Sequence, residues 1–394
     1  MVGHDFREKL NTVAVATACK VLGQRLSRCG RFLATRTCAM SPLDRILDRW
    51  RPRPPQRYAL ALAGGGVIGG MWEVGALAAL EEQLNGSGRG FDIYVGCSAG
   101  AVVASLLANG IRASELYRIL DQDLDDPLNF RRGAVYAPDA FRGAFRQFGR
   151  LVWAVGKKAM VGIRDSVPDM LARAERDMPA GFFSLAALER YIAAGYAARG
   201  LSNAFPALDR TLMIPAIDLN TAERVVFGQG ELRDVPISHA VAASSAIPGF
   251  FEPYTIAGRD YVDGGVGFSG HADLAAEAGA ETVVVINPLV PTLADDSCSM
   301  RGRGMYTIME QASRIYSQNL LQLGLAVLGM KFPRTQFFLL QPPRTCTLLF
   351  GPSMGFEASR LALRHGYTST KEWLAQEGAP LVRRLCVTPI AAAA

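Results

Sequence analysis

Between residues 58 and 110 the chain spells one phrase twice: a short apolar run, a glycine-bearing turn, then a helical stretch. The first copy is YALALA, GGGVIGG and MWEVGALAALEEQL, which Asn85 and Gly86 close. The second is FDIYVGC, SAG and AVVASLLANG, which Asn109 and Gly110 close. Short apolar runs bounded by glycine predict buried strands, and the longer segments carry helical spacing. Strands alternating with helices need crossover connections, so the repeat predicts an α/β fold with a largely parallel sheet covered on both faces.

Later segments extend this pattern. SLAALERYIAAGYAA reads as a helix, TLMIPAIDL and RVVFG as strands about a turn at NTAE, and SHAVAASSAI as a helix. A strand pair flanks YTIAGRDYVDGG, the helix ADLAAEAGA leads into the strand TVVVINP, and a long helix over RGMYTIMEQASRIYSQNLLQLGLAVLGM precedes a last strand, TQFFLLQP. Residues 111–180 break the rhythm with scattered aromatics and the basic amphipathic stretch RLVWAVGKKAMVGIR, so they read as an insertion or lid.

The formal charge of +6 is unevenly spread over the 394 residues. Residues 1–57 hold 12 Lys or Arg against four acids, a net +8, and the remainder carries −2. The basicity therefore belongs to a leader that ends in the proline-rich RPRPPQ, where neither a helix nor a central strand can form. A basic leader beside a near-neutral body suits an anionic membrane surface, or solvated disorder, better than a duplex-reading domain; no nucleic-acid partner is expected. Rich in Arg and poor in acids, the leader formally resembles an organellar transit peptide, and Met40 is an alternative start. Either is excluded if the native N-terminus is residue 1.

Three of the seven cysteines, Cys19, Cys29 and Cys38, lie in the leader, and none forms a CxxC or a Cys/His cluster with zinc spacing. No metal site or disulfide framework is expected. With no apolar run of 18 residues and no secretory h-region, a cytoplasmic location is expected, with possible peripheral membrane contact. The segments offered to a membrane are RLVWAVGKKAMVGI and LLQLGLAVLGM at residues 320–330.

Gly96-Cys97-Ser98-Ala99-Gly100 is G-x-S-x-G between a predicted strand and a predicted helix. In such a turn the serine takes a strained backbone conformation, and small residues at Gly96 and Gly100 let strand and helix pass it. Its Oγ then projects at the carboxyl edge of the sheet, beside a helix N-terminus that favours negative charge. Alone, the pentapeptide is also met in glycine-rich turns whose serine caps a helix.

The run Gly64 to Gly70 follows the preceding strand, and its successive glycines, Gly64, Gly65, Gly66, Gly69 and Gly70, let backbone amides converge as an oxyanion hole. Gly64, Gly66 and Gly69 also satisfy the dinucleotide fingerprint G-x-G-x-x-G. That fingerprint expects an acid ending the second strand, whereas Asp92 begins it and GCSAG ends it, so no nucleotide or other cofactor is expected.

Asp263, in Tyr-Val-Asp-Gly-Gly, ends a predicted strand with its carboxylate free to face a serine as general base. Of the histidines His4, His239, His271 and His365, His239 reads as a packed or capped core residue. His271 is the lesser candidate for a Ser-Asp-His order.

Taken together, GGGVIGG, GCSAG and DGG, in this order and these settings, resemble the patatin-like phospholipase family. ASSAIPGFFEPY and IDLNTAERVVF add to the likeness, which is clear over residues 58–290 and looser to about 375. The resemblance implies a three-layer α/β/α sandwich over residues 58–375, followed by a tail at 376–394. It further implies a Ser98–Asp263 dyad with no histidine, an oxyanion hole from the glycine loop, and acyl esters of phospholipids, lysolipids or neutral lipids cleaved through an acyl-enzyme. Members usually carry a basic residue within the glycine loop; the corresponding positions here are Ile68 or Gly69. An acyltransferase using the same dyad and a catalytically silent lipid-binding protein are the alternatives.

Overall fold

The computed structural model describes residues 56–84, 90–129, 180–181, 183–266, 270–293, 300–349 and 356–386. Residues 1–55 of the basic leader, the stretch RLVWAVGKKAMVGIR and the AAAA tail lie outside the described residues.

The twice-spelled phrase folds as the sequence predicts. β1 (Tyr58–Leu62) leads into α1 (Gly66–Leu84), and β2 (Ile93–Gly96) into α2 (Ala99–Ala108). After α3 (Ala113–Asp121) come α4 (Ala186–Ala198), β3 (Thr211–Asp218), β4 (Glu223–Phe227), α5 (Ile237–Ser244), β5 (Tyr254–Ile256) and β6 (Arg259–Asp263). The chain continues through α6 (Ala272–Glu277), β7 (Thr282–Ile286), α7 (Met305–Lys331), β8 (Gln336–Leu340), α8 (Phe356–Ala375) and α9 (Ala379–Cys386).

The strands form one sheet in the order β5-β6-β3-β2-β1-β7-β8, with β4 also paired to β3. Pairing is parallel from β3 to β8 and antiparallel among β3, β4, β6 and β5. Because side chains alternate across a strand, β1 feeds two cores. Leu60 and Leu62 join Trp72, Leu80 and Leu363 of α1 and α8 on one face. Ala59 and Ala61 join Ala275, Leu321 and Leu328 of α6 and α7 on the other. The sheet lies between helical layers, which is a mostly parallel three-layer α/β/α sandwich.

Three boundaries differ from the sequence reading. The run GGGVIGG is a loop only to Gly65, since α1 begins at Gly66. The supposed insertion opens with an ordinary packed helix, α3, whose Leu116 and Leu120 are buried; residues 130–179 lie outside the described residues. The expected tail contains α9, whose Leu381 and Leu385 are buried in the main core. An apolar spacing of four residues put these leucines on one helical face, but the segment was too short to declare it.

The register places the functional edge. Leu62 pairs with both Gly96 and Ile286, so β1, β2 and β7 end level and release their loops together. β3 pairs with β2 only through Met213 and runs on beyond it. Antiparallel β6 lies along that extension, with Asp263 opposite Ala216.

Candidate active site

Ser98 stands between β2 and α2 with φ 56° and ψ −128°, a conformation that L-residues rarely adopt. The turn is held by close packing. A Cβ at Gly96 would lie 2.5 Å from the Gly100 carbonyl oxygen, and one at Gly100 would lie 2.8 Å from Leu62. Ser244 Oγ accepts the Ser98 N–H at 3.0 Å and donates to the Pro215 carbonyl at 2.7 Å, tying the turn to α5 and β3. Ser98 itself is 6% exposed.

Asp263 is 7% exposed and lies near enough to the Ser98 side chain for that hydroxyl to lower its pKa. Its Oδ1 also accepts the Gly265 N–H at 2.8 Å and lies 3.5 Å from Cys97 Sγ, while its own N–H donates to the Ala246 carbonyl. Burial pushes the carboxyl above the usual aspartate range, and the donors from Ser98, Gly265 and Cys97 hold it back only in part. Residues 165 positions apart in sequence thus meet at the end of two adjoining strand systems.

The glycine loop closes over the serine: a Cβ on Gly64 would lie 2.9 Å from Ser98 Cβ and 3.3 Å from Ala99 N. Gly64, Gly65 and Gly66 all have positive φ, at 81°, 120° and 65°. Not all five glycines keep a free amide. Gly64 donates to Glu73 Oε1 at 2.8 Å and Gly69 to the Gly65 carbonyl at 3.1 Å. Gly70 lies further along α1, where amides belong to the helical ladder. Of the five glycines expected to form an oxyanion hole, Gly64, Gly69 and Gly70 thus have their amides engaged within the loop and α1, and Gly64 sits beside Ala99, the first residue of α2. At the positions where a basic residue was expected, Ile68 is buried and Gly69 packs on Gly64 and Pro288.

No described histidine is brought to Ser98 by a hydrogen bond. His271 is buried with Nε2 3.2 Å from the Gly264 carbonyl and Nδ1 3.3 Å from Arg224. Burial, with the Arg224 charge, lowers its pKa to about 4, so the ring is neutral and props the turn after Asp263. His239 is no core residue: its side chain is 42% exposed and bonds Tyr254 Oη at 2.8 Å. His365 Nδ1 accepts from Trp72 Nε1 at 3.2 Å.

Two site residues escaped the sequence reading. Cys97, beside the nucleophile, reaches Asp263, and Glu73 holds the glycine loop. The readable sign for Glu73 was one acid in the apolar helical stretch MWEVGALAAL.

From Ser98 a pocket opens between α1, α2, α3 and α4, with Val102, Leu106, Leu116, Leu188 and Ile192 among its walls. Its lining is apolar apart from Ser98, Ser245 and the tyrosines Tyr191 and Tyr196, and Tyr196 Oη is engaged with Ser105 Oγ. Among the described residues no group of three His, Cys, Asp or Glu side chains is placed to hold a metal ion, and no helix is long and apolar enough to cross a membrane.

The family model for patatin-like phospholipase matches residues 60–275, more than half of the chain. No curated protein matches. Among solved structures, VipD from Legionella pneumophila is 17% identical at a TM-score of 0.37, the match covering 82% of this chain and 67% of VipD. The type III effector ExoU is 16% identical at a TM-score of 0.34, covering 82% of this chain and 53% of ExoU. ExoU is also matched in its heterodimeric complex with SpcU from the type III secretion system of Pseudomonas aeruginosa, at 18% identity and a TM-score of 0.30, with coverage of 82% and 52%. The chain thus spans about half the length of the ExoU chains it matches.

Proposed function

Because the chain belongs to the patatin-like phospholipase family, we propose that it is a lipid acyl hydrolase in which Ser98 is the nucleophile and Asp263 the general base. The observation that carries the reading is a strained, buried serine that lines an apolar pocket and lies beside a buried aspartate of raised pKa. A base that titrates above the ordinary carboxylate range accepts a serine proton more readily, and desolvation supplies that here.

Asp263 takes the Ser98 proton as Oγ attacks the ester carbonyl, and the oxyanion forms against the Gly65, Gly66 and Ala99 amides. Each well-aimed donor is typically worth roughly 3 to 4 kcal/mol in the transition state. The C–O bond then breaks, the alcohol leaves with the proton from Asp263, and the acyl group remains on Ser98. Water loses its proton to Asp263 as it attacks the acyl-enzyme, and the proton returns to Ser98 as the fatty acid departs. The apolar pocket accommodates an acyl chain, consistent with phospholipid, lysophospholipid or neutral-lipid esters as substrates.

A lipid surface would meet α7, whose exposed Met305, Met309, Tyr316, Leu323 and Met330 recur at helical spacing, while Leu321 and Leu328 face the core. Liposome sedimentation at low salt tests this contact, and no binding removes it.

The test of the reading is fluorophosphonate labelling together with lipid-ester turnover by the wild type and Ser98→Ala, both confirmed folded by circular dichroism. Loss of labelling and turnover in the variant is expected; turnover retained without the hydroxyl overturns the assignment. Products analysed with an added acceptor alcohol separate hydrolysis from acyl transfer. A folded wild type that neither labels nor turns over, with or without detergent micelles, is a silent lipid-binding protein.

A further inference from the structure

Glu73 is an acid in a place where the proposed chemistry makes no use of an acid. It is the eighth residue of α1, fully buried, with buried Trp72 and Val74 on either side. Its Oε1 accepts the Gly64 N–H at 2.8 Å. Gly64 immediately precedes Gly65 and Gly66, whose amides are the proposed oxyanion donors, and a Cβ on it would lie 2.9 Å from Ser98 Cβ and 3.3 Å from Ala99 N.

The loop has a mechanical weakness that this contact answers. Three consecutive glycines with positive φ adopt the required shape at little cost, yet glycine is also the residue that holds a shape least well. Oxyanion stabilisation depends on donors already aimed before the charge appears. An anchor from outside the loop is therefore needed, and the rigid, buried helix α1 supplies it.

We propose that Glu73 is a positioning residue of the oxyanion site: by pinning the Gly64 amide it fixes the direction of the Gly65 and Gly66 N–H groups towards Ser98. The inference rests on the hydrolase reading. Burial pushes the Glu73 carboxyl well above its usual range, and the Gly64 donor lowers it only in part. A residue that merely packs α1 would act on stability and leave the rate per folded molecule alone.

The experiment compares Glu73→Gln, Glu73→Met and Glu73→Asp with the wild type and Ser98→Ala. Each is checked by circular dichroism and thermal midpoint, then assayed for kcat and KM on a short p-nitrophenyl ester across pH. Gln keeps an oxygen for the Gly64 N–H, so Glu73→Gln is expected within about threefold of the wild-type kcat. Met removes the acceptor and Asp withdraws it by one methylene. Both are expected to lower kcat roughly 100-fold or more, as when oxyanion donors are lost, with KM within about twofold and the acid limb of the pH profile in place. Glu73→Asp keeps the test decisive if Glu73→Met does not fold. A folded Met or Asp variant with wild-type kcat overturns the inference, as does a folded Gln variant that falls as far as they do. If Ser98→Ala is inactive while those variants stay active, the inference fails and the hydrolase reading stands; an active Ser98→Ala removes the reading itself.

Discussion

The two halves of the sheet bring one candidate catalytic group each, and they hold it by different physics. In the parallel half, β1, β2 and β7 are buried along their whole length, and Ser98 is fixed by backbone packed against backbone. In the antiparallel half, β4 and β5 are mostly half-buried or exposed and β6 is buried only towards its end. There Asp263 is held by hydrogen bonds from Gly265, Cys97 and its own amide to Ala246, with His271 and Arg224 behind the turn. The nucleophile depends on volume and the base on polar partners. The first should be intolerant of added atoms, and the second should answer to pH.

The largest effect tests the steric half. Gly96→Ala puts a methyl group 2.5 Å from the Gly100 carbonyl oxygen and 2.6 Å from Ala104 Cβ, with no flexible side chain to give way. A loss of at least about 3 kcal/mol of stability is expected from such overpacking, together with loss of turnover in whatever remains folded. Denaturant unfolding beside an ester assay measures both. A variant of wild-type stability and rate would break the claim that close packing at Gly96 sets the serine.

The same division explains what could be read from the sequence. G-x-S-x-G was legible because close packing demands small residues at fixed spacing, and the demand is written within five positions. The DGG turn was legible for the same reason. The fate of each amide in the Gly64 to Gly70 run was not, because it depends on Glu73, nine residues along a helix that reads as a continuous apolar segment. Nor could the sequence show that α8 packs on α1 so closely that a Cβ on Gly366 would lie 2.2 Å from the Trp72 carbonyl oxygen. That pairing joins residues nearly 300 positions apart, and the period of either helix is silent about its partner.

The next effect tests the polar half. Burial raises the Asp263 pKa, so its base form is lost as pH falls through a value above the ordinary aspartate value of about 4. The rate constant kcat/KM should then fall tenfold per pH unit on the acid side of that value and level off above it. Cys97 is one of the donors that hold the carboxyl down, so Cys97→Ala should move the limb to higher pH. A profile flat down to about pH 4 would remove Asp263 as the base, and an unmoved limb in Cys97→Ala would remove the thiol from its control.

The smallest effect compares strain in the two halves. Ser98 and Ala257 both carry a side chain at positive φ, 56° and 51°. Ser98 is buried and held by the close packing at Gly64, Gly96 and Gly100 and by the bond from its N–H to Ser244. Ala257 is exposed in the β5–β6 hairpin and is followed by Gly258, also at positive φ, where a two-residue turn favours Asn-Gly. Ala257→Asn should therefore stabilise the protein by about 0.5 to 1 kcal/mol, since Asn tolerates the left-handed region better than Ala. That corresponds to a rise in Tm of about 1 to 3 °C in a chain of this size, with kcat unchanged. If turnover shifts together with the midpoint, the hairpin is coupled to Asp263 through β6, and strain outside the site is part of how the base is held.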